Sequence, residues 1–204
     1  MTWVICSDIS KLMSAYPALY AAASPERRQR ADRYRRKEDA LRCLAADALL
    51  RYALGTSEYT IGKGAFGKPY IEGQDSFHYN LSHSGNWVAI AYGDREVGID
   101  VEKISLDAGK ETIARRYFTS DEQAYVFEKK DLAPQRFFEV WTGKESYLKY
   151  LGTGLHKNLT SFSIFSLEPE VKLYHRTLPG GYSLTVCTTD DSYVLELPDA
   201  GQWI

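Results

Sequence analysis

The sequence predicts an α+β fold, built as a pseudo-dimer of two similar α+β halves. Both halves combine apolar residues at helical spacing with short apolar runs that are typical of β-strands. The chain has 204 residues, enough for two compact units of about 100 residues each. A helical pattern and a strand pattern from the first half return in the same order in the second half. These observations together favour two related units that share one interface.

The internal repeat sets the expected domain organisation. Residues 45–55 resemble 143–152, and the apolar run 87–92 resembles 182–187. Either likeness alone could arise by chance, because amphipathic helices and hairpins look alike. Two in the same order favour a duplication. We therefore expect an N-terminal half over 1–97 and a C-terminal half over 98–204, with the functional site in the cleft between them.

The composition excludes several classes of protein. A chain with 44% hydrophobic and 13% aromatic residues is not disordered, since it can bury a large core. With 25 Lys and Arg against 27 Asp and Glu, the net charge of −2 excludes a polycation that coats nucleic acid. The three cysteines are too far apart for a disulfide framework or a metal-ligand spacing, so we expect buried or free thiols.

No segment predicts export or membrane insertion. Residues 1–8 contain no basic region that leads into an apolar stretch. No run approaches the ~18 apolar residues needed to cross a bilayer. We therefore expect a cytoplasmic, reduced protein that does not bind a membrane.

In the first half, we predict a strand over 3–9 and then one long helix. Ser24 suits the cap of that helix, Pro25 its first position, and Gly55 its end. Apolar residues recur every three or four positions over 41–52, as in a half-buried helix. The helix carries nine basic and five acidic residues, a local charge of +4 that the whole-chain total conceals.

A β-hairpin is predicted next. Residues 86–92 are nearly all apolar, as in a strand that is covered on both faces. Gly93 and Asp94 are a turn signal, and residues 97–102 are the return strand. The second half repeats the plan, with helices and then strands predicted over 122–130, 137–151, 161–167, 171–176, 182–188 and 193–197.

Two acids in the return strand are candidate metal ligands. Asp100 and Glu102 lie two residues apart on a strand, so both carboxylates point to one face. Hard oxygen ligands on a rigid element suit Mg²⁺, which binds one or two carboxylates together with waters and substrate phosphates. Two solvated acids on an exposed strand face show the same spacing, and this interpretation is the more common one for the pattern alone.

The segment 141–149 places a carboxylate between two lysines. Glu145 and Lys149 lie four residues apart and share a helix face, while Lys144 lies about 100° around the helix from Glu145. Such a group could bind a metal or accept a proton while the lysines bind phosphate oxygens. Taken alone, an ordinary stabilising Glu–Lys pair worth about 0.2–0.5 kcal/mol explains the spacing more simply.

Two polar loops supply further candidates. Ser82, His83 and Ser84 offer hydroxyl and imidazole donors to an anion, or form an ordinary hydrogen-bonded loop. A serine nucleophile is less consistent, since neighbouring side chains seldom face each other and no Gly-x-Ser-x-Gly elbow is present. Lys68 lies between a glycine and a proline, which makes it either a cation held at a turn or only part of a turn.

The order and spacing of these segments resemble those of the Sfp-type 4′-phosphopantetheinyl transferases. The matching segments are 67–69, 77–84, 97–102 and 141–149, together with 24–28 and 37–40 in the basic helix. The resemblance covers most of the chain, and the Gly-Ile-Asp-x-Glu and Trp-x-x-Lys-Glu-Ser patterns are specific in combination. It implies the same fold, two α+β halves with the active site between them.

This resemblance implies a reaction. The 4′-phosphopantetheine arm of coenzyme A would be transferred to a serine hydroxyl of an apo acyl or peptidyl carrier protein, with release of adenosine 3′,5′-bisphosphate. Asp100, Glu102 and Glu145 would hold Mg²⁺ against the pyrophosphate. Glu145 would also accept the serine proton, directly or through a water. The family pattern further implies a monomer, since the two halves already form a pseudo-dimer.

The resemblance also assigns residues to the phosphates of coenzyme A. Those expected to contact them are Arg27 and Arg30 at the 3′-phosphate, Lys68, Ser82 and His83 at the nucleotide phosphates, and Lys144 and Lys149, with Lys144 steadying the leaving group. Three departures from the family pattern affect these assignments. Cys43 stands where some relatives have a hydroxyl residue, arginine replaces lysine at 27 and 30, and relatives differ in whether Glu102 touches the metal.

Two other functions are weighed against this one. A Mg²⁺-dependent phosphohydrolase would use the same acids with water as the nucleophile, and would break down coenzyme A without a carrier protein. A single-stranded nucleic-acid-binding module would use the basic helix and would be indifferent to Asp100 or Glu145. The net charge of −2 argues against the second alternative.

Overall fold

The computed structural model describes residues 1–105 and 109–198. The helices and strands in chain order are β1 (Thr2–Asp8), α1 (Tyr16–Ala22), α2 (Pro25–Asp32), α3 (Lys37–Leu54), β2 (Ile61–Lys63), β3 (Pro69–Ile71), β4 (His78–Ser84), β5 (Trp87–Gly93), β6 (Val97–Lys103), α4 (Gly109–Tyr117), α5 (Ser120–Phe127), α6 (Ala133–Leu151), β7 (Lys172–Leu178), β8 (Tyr182–Thr188) and β9 (Tyr193–Glu196). Short 3₁₀ helices lie at Ile9–Ala15, Lys130–Leu132, Gly154–His156 and Leu159–Ser161.

The strands form two main sheets, each covered by one long helix. The first sheet has the order β4-β5-β1-β9 and packs against α3, while the second has the order β6-β8-β7 and packs against α6. A small hairpin, β2-β3, forms a separate sheet, and its Ile71 joins the core beneath the first sheet. The predicted α+β pseudo-dimer is confirmed. The last described strand, β9, pairs in parallel with β1, so the end of the chain returns to the sheet of the first half.

The main core is layered because β1 and β5 alternate their side chains between two faces. Ile5 and Ile90 face α3, in a cluster with its leucines. Val4 and Ala89 face the other way and join Leu184 and its neighbours in the second sheet. This double burial explains the nearly continuous apolar pattern of β5, and the prediction of a strand covered on both faces is confirmed.

The two helices that cover the sheets end in the same way. Gly55 follows α3 with φ 68°, and Gly152 follows α6 with φ 67°. Both glycines adopt the left-handed backbone conformation, which is unfavourable for other residues because their Cβ would clash with the backbone. β5 and β8 are also equivalent, each flanked by two strands in its sheet. The segments that suggested a duplication from sequence therefore occupy matching places.

The predicted hairpin between β5 and β6 is wrong. Both strands form where expected, but β5 pairs with β4 and β1, whereas β6 pairs with β8. The chain between them crosses from one sheet to the other. Alternation of apolar residues identifies a strand without identifying its partner, because pairing depends on strands that lie far away in sequence.

The predicted long helix is interrupted. Ser24 caps α2 as expected, since its Oγ accepts a hydrogen bond from the Arg27 amide at 3.2 Å. The helix then stops after Asp32, and α3 begins at Lys37 after an extended Arg36. Four of the five residues over 33–37 are basic, and their repulsion disfavours a continuous helix. The break lets α2 fold back against α3.

The predicted strand over 161–167 is also wrong. This segment has no partner strand among the described residues. Its backbone groups bind side chains instead, since Glu122 Oε1 accepts from the Ile164 amide at 2.8 Å and Lys144 Nζ donates to the Phe162 carbonyl at 2.7 Å. Backbone groups that are satisfied in this way have no need of a sheet.

Two further expectations concern the cysteines and the membrane. All three cysteines, Cys6, Cys43 and Cys187, are buried free thiols, as predicted. Across the described parts of the chain, we find no helix with the length and apolar character needed to span a membrane.

Candidate functional site

A polar cavity of about 410 Å³ lies where β4, β6 and α6 meet. It is lined by Leu81, Ser82, His83, Asp100, Glu102, Trp141, Glu145 and Lys149. Three segments that are far apart in the sequence, in β4, β6 and α6, therefore contribute side chains to one cavity. The two acids of β6 face it because strand residues two apart share a face, and α6 adds Glu145 and Lys149 from one helix face.

Asp100 is the most deeply buried acid of the cavity, with 5% of the residue exposed. Its Oδ1 accepts hydrogen bonds from Ser82 Oγ at 2.9 Å and from Lys149 Nζ at 2.7 Å. Its Oδ2 is buried and has no hydrogen-bond partner among the described residues. A carboxylate oxygen without a partner is costly in such a place, so this atom points to a ligand that the chain itself does not supply.

The other two acids, Glu102 and Glu145, have raised pKa values. Burial, followed by the charge of Asp100, raises the pKa of Glu145, and Glu102 adds to the effect. Burial also raises the pKa of Glu102, with a smaller contribution from Asp100. Both glutamates therefore resist ionisation, mainly because they are buried and in smaller part because other acids are near. A cation among them would relieve this repulsion.

These residues fit a divalent metal by their chemistry. Three carboxylates supply hard oxygen ligands, and the buried Oδ2 of Asp100 lacks a partner among the described residues. Over those residues, no three His, Cys, Asp or Glu side chains are already gathered as a complete ligand set. Mg²⁺ needs only one or two carboxylates together with waters and phosphates, so a partial set is what such a site requires.

Lys149 brings a positive charge to the same cavity as the acids. Lys149 Nζ binds Asp100 Oδ1, Ser82 Oγ at 3.1 Å and the Ile99 carbonyl at 3.1 Å. Burial lowers the pKa of His83, and the charges of Arg42, Lys149 and Arg30 lower it further. The neutral imidazole of His83 is therefore favoured in the cavity.

The two predicted arginines line a second cavity, of about 610 Å³, between α2, α3 and the segment after α3. Arg27 Nε lies 3.2 Å from Asp47 Oδ1, and its Nη1 contacts Cys43 Sγ at 3.9 Å. Along a continuous helix these 20 residues between Arg27 and Asp47 would span about 30 Å, so the break after α2 creates this contact. Arg30 lines the same cavity, and its charge makes a small contribution to the lowered pKa of His83.

Two predicted lysines lie outside both cavities. Lys68 Nζ binds Glu96 Oε2 at 2.5 Å and the carbonyls of Tyr150 and Val97 at 2.9 and 3.2 Å. Lys144 is fully buried, and its ammonium lies 2.9 Å from Glu122 Oε2. All three donors of Lys144 are used, because Nζ also binds the carbonyls of Leu159 and Phe162 at 2.7 Å.

Sequence patterns missed several residues that shape the site. Gly98 allows β6 to approach α6, because a Cβ there would overlap the Ser146 carbonyl oxygen and lie 2.5 Å from the Tyr150 nitrogen. A glycine inside a strand is a signal of close backbone approach. Glu122 gave no such signal, since its partner Lys144 is 22 residues away. Trp141 was noted only as part of a motif, and it lines the cavity beside Glu145.

Comparison with known proteins agrees with this geometry. Residues 96–197 match the model of the 4′-phosphopantetheinyl transferase superfamily, and residues 11–94 match that of the 4′-phosphopantetheinyl transferase N-terminal region. The chain is 39% identical to the 4′-phosphopantetheinyl transferase Sfp of Bacillus subtilis strain 168, over 83% of this chain and 84% of that protein.

More distant relatives carry the same name. The chain is 37% identical to a second 4′-phosphopantetheinyl transferase of Bacillus subtilis, over 72% of this chain and 67% of that one. It is 31% identical to the 4′-phosphopantetheinyl transferase HetI of a Nostoc species, over 90% of this chain and 81% of that one. Both family models and these relatives agree, and the chain belongs to the 4′-phosphopantetheinyl transferase superfamily.

Proposed function

We propose that the chain transfers the 4′-phosphopantetheine arm of coenzyme A to a serine hydroxyl of an apo acyl or peptidyl carrier protein. The observation that supports this most is the cavity in which Asp100, Glu102 and Glu145 face Lys149 and His83. Acids that suit a divalent cation, and a lysine and an imidazole that can donate hydrogen bonds to phosphates, are the parts that transfer from a pyrophosphate requires. The chain also belongs to a superfamily that carries the name of this activity.

In the proposed reaction, the carrier serine oxygen attacks the β-phosphorus of coenzyme A. The bond from this phosphorus to the oxygen that bridges the two phosphates breaks, and adenosine 3′,5′-bisphosphate leaves with the electron pair. Glu145 takes the serine proton, directly or through one water. Its raised pKa suits this role, since a base is most effective when its pKa lies near the working pH.

Asp100, Glu102 and Glu145 would hold Mg²⁺. When bound, this ion neutralises the charge that develops on the phosphate oxygens. The buried Oδ2 of Asp100, with no partner among the described residues, supports this proposal. Because burial and neighbouring acids raise the pKa of both glutamates in the cation-free site, a cation there would favour their ionised forms, which are the forms that bind a metal.

The phosphates of coenzyme A would be bound from both cavities. Lys149 and His83 would bind the pyrophosphate. Arg27 and Arg30 would bind the 3′-phosphate, because the planar guanidinium of arginine can donate two hydrogen bonds to one phosphate. Cys43 lies beside Arg27 and offers no hydroxyl of its own. Lys68 would reach a phosphate only by leaving Glu96 and two carbonyls, and Lys144 only by breaking its buried ion pair. We therefore propose that both lysines act by holding the site together.

We also propose that the chain works as a cytoplasmic monomer, with functional units over 1–97 and 98–204, and without nucleic acid or membrane as a partner. Ser82 and His83 of β4 line the candidate site from one side of this boundary, and the three acids and Lys149 come from β6 and α6 on the other. Neither unit alone would contain the complete site.

The test combines the chain with Mg²⁺, coenzyme A and several apo-carrier proteins, and reads the carrier mass. A mass gain of one phosphopantetheine arm is expected, together with adenosine 3′,5′-bisphosphate. Glu145→Gln is expected to lower the rate by at least about 10²-fold while the circular dichroism spectrum stays unchanged. Breakdown of coenzyme A without carrier would favour the phosphohydrolase, and an unmodified mass across all carriers would refute the proposal.

A further inference from the structure

β4 and β6 run side by side, yet side chains rather than a backbone ladder join them. The strands belong to different sheets. Three β4 side chains, two residues apart, accept hydrogen bonds from three β6 amides: Asn80 Oδ1 from Ile99 at 3.1 Å, Ser82 Oγ from Val101 at 3.2 Å, and Ser84 Oγ from Lys103 at 3.1 Å. Each pair is 19 residues apart in sequence, so the two strands run in the same direction in a fixed register.

The two serines of this side-chain ladder also donate to the acids of the cavity. Ser82 Oγ donates to Asp100 Oδ1 at 2.9 Å, and Ser84 Oγ donates to Glu102 Oε2 at 2.8 Å. A hydroxyl has one proton to donate, so each serine commits its proton to one carboxylate. Ser82 also accepts from Lys149 Nζ at 3.1 Å, which uses both of its lone pairs.

A hydroxyl does here what a backbone carbonyl cannot do. In a regular parallel sheet, β4 carbonyls would accept from the β6 amides but would have no proton for the adjacent carboxylates. Serine does both, because its oxygen accepts from the amide while its proton goes to the acid. Each serine holds one oxygen of its carboxylate and thereby fixes the direction of the other. For Asp100, that other oxygen is the buried Oδ2 without a partner among the described residues.

We infer that Asn80, Ser82 and Ser84 are positioning residues that fix β6 and aim the Asp100 and Glu102 carboxylates at a divalent cation. It follows that the Ser82 hydroxyl, which donates to Asp100 and accepts from Val101 and Lys149, orients a metal ligand. This inference rests on the proposed function for the role of the cation, while the hydrogen bonds that carry it are independent of the reaction.

Mn²⁺ is the probe for the test, titrated into the chain without coenzyme A or carrier and followed by electron paramagnetic resonance. Hydrogen-bond partners of metal ligands commonly change metal affinity by about 10- to 100-fold. We expect Ser84→Ala and Ser82→Ala to weaken Mn²⁺ binding by at least about 10-fold, and Ser84→Thr to retain it. Asp100→Asn is expected to abolish Mn²⁺ binding, which identifies the site.

Ser10→Ala is the matched control. Ser10 Oγ also donates to an aspartate, Asp8 Oδ1, at 2.7 Å, but it is exposed and lies outside the cavity. The Ser10→Ala variant is expected to bind Mn²⁺ with the affinity of the wild type. Circular dichroism of each variant at the titration temperature checks the fold, and Ser84→Thr keeps the test valid if an alanine variant unfolds.

Kinetics separate positioning from phosphate binding. With saturating Mg²⁺, Ser82→Ala is expected to keep the KM for coenzyme A within about 2-fold, while more Mg²⁺ is needed for half-maximal rate. A KM raised about 10-fold with unchanged Mn²⁺ binding would overturn the inference, as would wild-type Mn²⁺ binding in Ser84→Ala or a wild-type chain that binds no Mn²⁺ through Asp100. Mn²⁺ binding that depends on the serines, in a chain that modifies no carrier, would support the inference and refute only the proposed function.

Discussion

Replacing Lys144 by methionine removes the positive end of a fully buried ion pair and keeps most of the side-chain volume. The Lys144 ammonium lies 2.9 Å from Glu122 Oε2, and both side chains are 0% exposed. Burial lowers the pKa of Lys144, which Glu122 partly offsets. After the substitution, Glu122 keeps its bonds to the Thr119 and Ile164 amides, but its charge loses the lysine.

Loss of one partner from a buried pair costs about 3–5 kcal/mol, because the remaining charge stays buried. For a chain of this length, each kcal/mol lowers Tm by roughly 2–4 °C. We therefore expect the Tm of Lys144→Met to fall by about 6–20 °C. Adding Glu122→Gln should recover part of the loss, since the double variant no longer buries an unpaired carboxylate. Thermal unfolding followed by circular dichroism measures both.

Lys172→Met is the control for this prediction. Lys172 pairs with Asp191 on the surface, where the two side chains are 37% and 92% exposed, and such pairs contribute at most about 1 kcal/mol. The Tm of Lys172→Met should therefore hardly change. If Lys144→Met kept the wild-type Tm and instead raised the KM for coenzyme A about 10-fold, the ammonium would be a phosphate ligand and the reasoning would be refuted.

Three further predictions concern the acids, the arginines and the contact between β6 and α6. In Mg²⁺-free protein, the Glu145 carboxyl should titrate above the ordinary value of about 4.3, because burial and neighbouring acids raise its pKa. Carbon-13 NMR should show this pKa falling in Glu102→Gln and on addition of Mg²⁺. Arg27→Ala should raise the KM for coenzyme A by roughly 10-fold or more, with a smaller loss of kcat, as expected for a charge-assisted bond to phosphate. Gly98→Ala should destabilise the chain by about 1–3 kcal/mol or more and reduce transfer, because the new Cβ would push α6 away from β6.

Each of these has a control and a contrary outcome. Because the pKa of the Glu145 carboxyl is raised in the folded state, its protonation stabilises the fold. This stabilisation is present at low pH and is lost as the pH rises through the raised pKa. Glu145→Gln should therefore be at least as stable as the wild type at pH 7, and a lower Tm would contradict the shift. Arg27→Lys should recover part of the affinity, and an unchanged KM in Arg27→Ala would exclude the 3′-phosphate contact. Gly64→Ala is the control for Gly98→Ala, since a Cβ at Gly64 would meet its nearest neighbour at 3.5 Å.

Local patterns were sufficient wherever short-range chemistry decides the outcome. The cap at Ser24 and the glycine end of α3 formed as predicted, because they depend on residues within one helical turn. β5 formed as predicted because a long apolar run needs burial on both faces, and β8 formed over the predicted range 182–188. The motif residues Asp100, Glu102 and Glu145 were also found, and they line one cavity.

By itself, the sequence determined the α+β pseudo-dimer, most of its elements, the family and the acids of the candidate site. Only the tertiary structure decided that β6 pairs with β8, that the basic helix breaks before α3, and that Lys144 is bound to Glu122 and two carbonyls. The physical reason is one of range. Periodicity and caps reflect forces between neighbours in the chain, whereas a strand edge or a buried ammonium is satisfied by whichever polar group the fold brings to it from far along the sequence.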